Sequence, residues 1–156
     1  MRIAIGSDHR GIELVARLET WLAADGYDVL PLGVCTGVSC DYPEPAWAVG
    51  QAVASGDADR GILVCGSGIG VSIAANKIDG VRAALVHDSE AATMTRRHND
   101  ANVVCLSADA TSPQSAIGIV HAFLSTGFEG GRHARRVAKI AAIEAGTDPV
   151  SVTAAD

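Results

Sequence analysis

The sequence predicts an α/β protein, a three-layer α/β/α sandwich around a five-stranded parallel sheet, and three observations carry that expectation. Short apolar runs alternate along the 156 residues with stretches at helical spacing, the order that builds a parallel sheet through crossover helices. Hydrophobic residues make up 48% of the chain and aromatic ones only 4%, so the core is aliphatic. Seventeen glycines suit many tight strand-to-helix turns. The length corresponds to one domain, large enough to bury a real core.

Residues 2–5 are a short apolar strand ending in Gly6-Ser7-Asp8-His9-Arg10-Gly11. Ile12, Val15, Leu18 and Leu22 then recur at helical spacing, and Gly26 stops that helix. A second strand is expected over 27–32. The connection over 33–45 is rich in Gly, Cys and Pro, carries Asp41-Tyr42-Pro43, and is longer than most; such loops more often serve function than packing. A helix over 46–55 follows, and Gly56-Asp57-Ala58-Asp59 turns the chain into a strand that ends at Cys65. After a central helix, a fourth strand is expected over 81–86, with His87-Asp88-Ser89 capping the helix that reaches Arg96-Arg97-His98-Asn99-Asp100. The fifth strand spans 102–106, and the helix over 112–124 has Pro113 at a permitted early position. A glycine-rich break at 127–131 leads to a last helix over 132–145. Residues 147–156 lack apolar periodicity and read as a flexible tail after a single domain over 1–146. In a Rossmann-like arrangement of this kind ligands sit outside the carboxyl ends of the strands, which gathers Asp8, His9, the stretch after Cys65, and His87 on one rim.

The chain is organised around 62–77, where an apolar strand meets a turn with glycine at 66, 68 and 70 and then a small-residue helix. Glycine at alternate positions lets backbone N–H groups approach a ligand, and the helix start adds unpaired donors and partial positive charge. Cys65, at the end of the strand, distinguishes this turn from a generic phosphate loop, because a thiol beside a helix N-terminus is a stabilised base or nucleophile. A base beside a backbone anion hole can take a proton from carbon next to a carbonyl and hold the enediolate that forms.

The formal charge of −6 argues against general nucleic-acid or membrane-surface binding. Basic residues cluster locally at Arg132-His133-Ala134-Arg135-Arg136, which suits a small anion better than a polymer; the spacing of four puts Arg132 and Arg136 on one helix face. The four cysteines, 35, 40, 65 and 105, lack paired metal spacing, and no His-x-x-x-His partner accompanies them. Met1 leads directly into the first strand with no signal segment, and no apolar run has membrane-spanning length, so a reduced cytoplasm is the expected location.

Gly-Ser-Asp-His at 6–9, Asp-Tyr-Pro at 41–43, Cys-Gly-Ser-Gly-Ile-Gly at 65–70 and Ile-Ala-Ala-Asn-Lys at 73–77 resemble the type B ribose-5-phosphate isomerases, a family that includes galactose- and allose-6-phosphate isomerases. His-Asn-Asp-Ala-Asn-Val at 98–103 and Glu-Gly-Gly-Arg-His-x-x-Arg-Val at 129–137 extend the resemblance over about residues 3–145. It implies a metal-free, cofactor-free aldose–ketose isomerase working through a cis-enediolate. Cys65 would be the base and Ser67 would shift protons between substrate oxygens. Gly66, Gly68, Ile69 and Gly70 would form the anion hole, and His98 would open the furanose ring with Asp8 assisting. Tyr42 and Asn99 would touch hydroxyls, and His9, Arg132 and Arg136 would hold the phosphate. The resemblance also implies a homodimer, alone or paired into tetramers, in which His98, Asn99, Arg132 and Arg136 reach into the partner's site.

Two departures matter. Ser107-Ala108-Asp109 stands where relatives of the family it resembles usually carry Gly-Gly-Arg or Gly-Ser-Arg, and Arg10 stands where they usually carry a small or apolar residue. Either Arg10 supplies the charge lost at 109, or Asp109 pairs with a sugar hydroxyl or a local arginine and the preferred substrate changes. Ribose 5-phosphate and ribulose 5-phosphate are the expected pair, with a six-carbon, tetrose or unphosphorylated sugar as the alternative. A non-catalytic sugar-phosphate or nucleotide-binding module is also compatible with the fold. Blander roles exist for single residues: Cys65 as core, Asp8 as a helix cap, His98 at a helix dipole, His87 as part of a capping segment.

Overall fold

The structure, a computed structural model, describes residues 1–35 and 39–153. Part of the expected long loop, 36–38, and the last three residues of the expected tail lie outside them. Five strands, Arg2–Ser7 (β1), Asp28–Val34 (β2), Arg60–Cys65 (β3), Ala83–Leu85 (β4) and Val103–Ser107 (β5), form one parallel sheet in the order β2-β1-β3-β5-β4. The helices are Ile12–Ala24 (α1), Pro43–Ser55 (α2), Ile69–Ala75 (α3), Ser89–Asn99 (α4), Pro113–Ser125 (α5) and Arg132–Glu144 (α6), and a single 3₁₀ turn, Pro149–Ser151, packs against α6.

Strand alternation sorts the core into two layers. Ile3, Ile5, Ile62, Val64, Val104 and Leu106 face the apolar sides of α1, α4 and α5. Ala4, Leu63, Cys65, Val103 and Cys105 face α2 and α3. Both faces of the sheet are therefore covered, the condition under which parallel strands are continuously apolar. This is the expected α/β/α sandwich.

The elements differ from expectation at their edges. α2 begins at Pro43 rather than 46, because proline near the start of a helix removes N–H groups that have no intrahelical acceptor. β1 and β5 continue into serines that still pair, Ser7 opposite Val64 and Ser107 opposite Cys65. β4 is only three residues, the sheet's short outer strand.

The last two long connections carry functional groups to the far end of the sheet. α4 starts above the sheet's carboxyl end, where Asp88 accepts from Ala91 N–H, and runs back to the amino end. There Arg82, just before β4, donates to the carbonyls of Asn99 and Asp100, and its N–H donates to Asn102, just before β5. α6 packs on the same α4, yet His133 is the only side chain that it buries. Among the described residues, no helix is long and apolar enough to cross a membrane.

Candidate active site

β3 delivers Cys65 to the carboxyl end of the sheet, 3% exposed, and the turn folds back so that Gly68 N–H donates to its Sγ at 3.2 Å. Ser67, on the exposed side of the turn, accepts from Ile69 N–H at 3.3 Å. The N–H groups of Gly70 and Val71, in the first turn of α3, have no protein acceptor among the described residues. The glycines make room for what surrounds them. Gly68 has φ 75°, and a Cβ there would lie 2.5 Å from Leu85 Cδ1 and 3.0 Å from the Leu106 carbonyl oxygen. A Cβ at Gly70 would strike the ring of Tyr42 at 2.8 Å, and one at Gly66 would lie 2.9 Å from Arg10 Cδ and 3.2 Å from Asp109 Oδ2. The turn is thus fitted against a phenol on one side and an ion pair on the other.

The β1–α1 turn supplies that side of the rim. Asp8 is 6% exposed; its N–H donates to the Val64 carbonyl and its Oδ1 accepts from Arg10 N–H at 2.9 Å. The carboxylate therefore braces the turn, and it does not cap α1, whose N-cap is Gly11 without a side-chain bond. Arg10 Nε and Nη2 donate to Asp109 Oδ1 at 3.1 and 2.6 Å, so the partner of Asp109 is a local arginine. The β5–α5 segment is tied to the glycine turn as well: Ser107 Oγ and Asp109 N–H donate to the Gly66 carbonyl. His9, exposed, has Nδ1 3.2 Å from the Cys40 carbonyl. Cys40 is disulfide-bonded to Cys35, a pairing unforeseen from the sequence, and two residues beyond it Tyr42 presents its ring to Gly70. Cys105 is fully buried, and burial pushes its thiol up, so it stays protonated core. His87 is exposed next to the Asp88 cap, and His121 lies edge-on to Trp21, away from the turn.

The remaining expected residues lie elsewhere. His98 stacks on His133 with ring centroids 4.1 Å apart and planes within 3°, and Nε2 of each ring is 3.6 Å from Glu129 Oε2. Arg97 grips Oε1 of the same carboxylate, and this bond holds the Glu129 carboxyl below the usual range. Burial, with positive charge on His98, Arg132 and Arg136, keeps His133 neutral below its ordinary value, and its Nδ1 is buried without a partner. Arg132 and Arg136 are exposed one turn apart on α6, and Asn99 is the last residue of α4, next to His98 in the chain. His98, Glu129 and His133 lie close enough to suggest a cation site, yet the fit is poor. Parallel stacked imidazoles cannot both aim in-plane lone pairs at one tetrahedral ion, and Arg97 and Arg132 already crowd Glu129 and His133 Nε2. What the structure shows is a stacked histidine pair beside a carboxylate that Arg97 holds.

Glu129 and His133 went unassigned at the level of sequence, although a readable signal was there: they stand four apart around the double glycine that starts α6. The topology also separates the two groups. Cys65 pairs with Ser107 at one end of β5, while the end of α4 is laced to the other end, about 13 Å away at about 3.3 Å per strand residue. One chain places Cys65, Ser67, Asp8, His9 and Tyr42 together, and His98, Asn99, Arg132 and Arg136 together, but at opposite ends of the sheet.

Comparison with known proteins agrees with both the fold and the motifs. Residues 3–140 match the family described as Ribose/Galactose Isomerase. The solved ribose-5-phosphate isomerase B of Clostridium thermocellum superposes with a TM-score of 0.92 at 46% identity, covering 94% of this chain and 99% of that one. A Mycoplasma genitalium ribose-5-phosphate isomerase B solved with bound ribulose-5-phosphate gives 0.89 at 42% identity, over 94% and 97%. The ribose-5-phosphate isomerase B of Escherichia coli is 42% identical over 143 residues, 92% of this chain and 96% of that protein.

Proposed function

Because the chain belongs to the ribose/galactose isomerase family and is an aldose–ketose isomerase, we propose that it interconverts ribose 5-phosphate and ribulose 5-phosphate through ring opening and a cis-enediolate. The observation that carries this reading is Cys65, held by Gly68 N–H at the mouth of a glycine turn whose next N–H groups have no protein acceptor among the described residues. His98 moves a proton between the ring oxygen and the C1 hydroxyl, opening the furanose. Cys65 takes the proton from C2 and returns it to C1. Ser67 carries the proton between the two substrate oxygens while the 66–70 backbone holds the enediolate. The atoms balance with no net oxidation, and no cofactor enters.

The separation of Cys65 from His98 supports a homodimer in which each site takes its turn from one chain and its ring-opening histidine and α6 arginines from the other. Exposed Trp47 on α2 and Ile69 and Ile73 on α3 offer apolar surface beside the turn. Arg132 and Arg136, one turn apart and exposed, suit a phosphate, with His9 beside them in the assembled site. A cytoplasmic location fits a mechanism that needs Cys65 as a free thiol, whereas the Cys35–Cys40 bond points the other way. A six-carbon or tetrose phosphate is the second reading, favoured by the carboxylate of Asp109 at the rim.

The test is interconversion of ribose 5-phosphate and ribulose 5-phosphate without added metal, beside ribose, allose and allose 6-phosphate. Preference for the pentose phosphate is expected. Preference for a six-carbon or free sugar would replace the substrate and keep the chemistry, and no turnover on any of them would overturn the reading.

A further inference from the structure

The Arg10–Asp109 pair joins the loops after β1 and β5 directly over the first glycine of the catalytic turn. Its geometry is lopsided. Asp109 Oδ1 accepts both bonds, and among the described residues neither Asp109 Oδ2 nor Arg10 Nη1 has a partner. A guanidinium fork is satisfied best by two oxygens in its plane, which a phosphate offers and a single carboxylate oxygen does not. Both side chains are about half exposed, 56% and 50%, so water competes for the pair and it contributes little to stability. The base of Arg10 is fixed, since its N–H is bound to buried Asp8 and its stem lies in the space left by the missing side chain of Gly66, while its head is held only by Asp109. Asp109 also keeps Arg10 firmly cationic.

We propose that Arg10 is an exchangeable anion ligand: Asp109 parks its guanidinium over Gly66 in the empty site and yields it to the phosphate of the substrate. The proposal rests on the isomerase reading for the identity of the anion, though not for the existence of the latch. A dianionic phosphate outcompetes a monoanionic carboxylate for the fork, whereas an unphosphorylated sugar leaves the pair closed. Asp109 thereby becomes a specificity-determining residue, because every anion bound through Arg10 must first displace it.

The latch is tested by calorimetric titration of inorganic phosphate into the full chain and into the variants D109A, R10Q and the two combined. D109A is expected to tighten phosphate about three- to tenfold and R10Q to weaken it about tenfold, the range of one charge-assisted hydrogen bond. The double variant is expected to match R10Q within about twofold, since Asp109 acts through Arg10. Equal tightening by D109A with and without Arg10 would overturn the latch, because the carboxylate would then act only by its field. Weaker binding in D109A, or no phosphate binding by any of the proteins, would overturn it too. R10Q should also raise KM for ribose 5-phosphate and leave KM for free ribose unchanged. Absence of turnover with the binding pattern intact would sink the isomerase reading and leave the latch standing.

Discussion

At the carboxyl end of β3 the functional groups are one thiol and a run of backbone N–H, fixed by strand pairing and by a turn pressed against Leu106, Tyr42 and Arg10. At the amino end of β5 they are long side chains, His98 near the end of α4, Arg132 and Arg136 on α6, and Glu129 just before it. Arg97 holds Glu129, His98 stacks on His133, and the two arginines stand exposed with no ion pair among the described residues. The first end is rigid because displacing it would break the sheet. The second, set by ring stacking and charge, is the more adjustable. An enediolate hole needs the first kind of construction, as preorganised dipoles stabilise charge only if they do not relax. A ring-opening acid that must approach and leave an oxygen tolerates the second.

Substitutions can break this comparison, and the largest effect is expected at the rigid end. C65A should lower kcat by at least about 10²–10⁴-fold, as for loss of a general base, with inorganic phosphate binding retained. A loss of less than about tenfold would reassign the base. A mixture of C65A with H98N tests whether the two ends meet across chains. Each protein should be nearly inactive alone, and refolding them together should restore about a quarter of wild-type activity, the share of intact sites in statistically mixed dimers. No recovery would mean that the ends act within one chain.

G68A comes next, read as stability. A side chain forced to positive φ and into the Leu106 carbonyl should cost about 2 kcal/mol or more in denaturant unfolding, whereas G70A needs only a shift of the Tyr42 ring and should chiefly raise KM. The smallest effect belongs to the adjustable end. His133 is held neutral below its reference value of 6.5, so the unfolded chain takes up a proton first, and stability should be full above about pH 6.5 and decline as pH falls below it. Glu129 is held ionised below its reference of 4.5, so its contribution is lost at still lower pH, as the carboxylate is protonated. H133Q should flatten the first part of that decline, seen as a smaller loss of Tm between about pH 7 and about pH 5.5.

The same division explains what could be read from residues alone. Periodicity exposed the alternation of strands and helices, because burial on both faces forces each strand to be apolar throughout and each helix to carry a stripe. The Cys65 turn was legible because glycine at alternate positions has few other uses. The start of α2 was not, since Pro43 and Pro45 look like loop until their positions in the first turn are known. Nor was the stack on His98: Glu129 and His133 are ordinary residues in sequence, and only the approach of α6 to α4 stacks the two rings. The Arg10–Asp109 contact spans 99 residues, beyond the reach of any local pattern. Composition gave no sign of the Cys35–Cys40 bond.

The neighbours of the three turn glycines also set an order in which this sequence can change. At Gly68 the obstruction is main chain, the Leu106 carbonyl, and no change elsewhere removes it. At Gly66 the obstruction is the stem of Arg10 and a carboxylate oxygen of Asp109, both side chains that substitution can shorten. Alanine at 66 is therefore penalised while Arg10 is present and tolerated once it is gone, and the reverse step, gaining an arginine at 10, is open only to a chain that has glycine at 66. Position 68 is constrained unconditionally, and position 66 through the ion pair that lies over it.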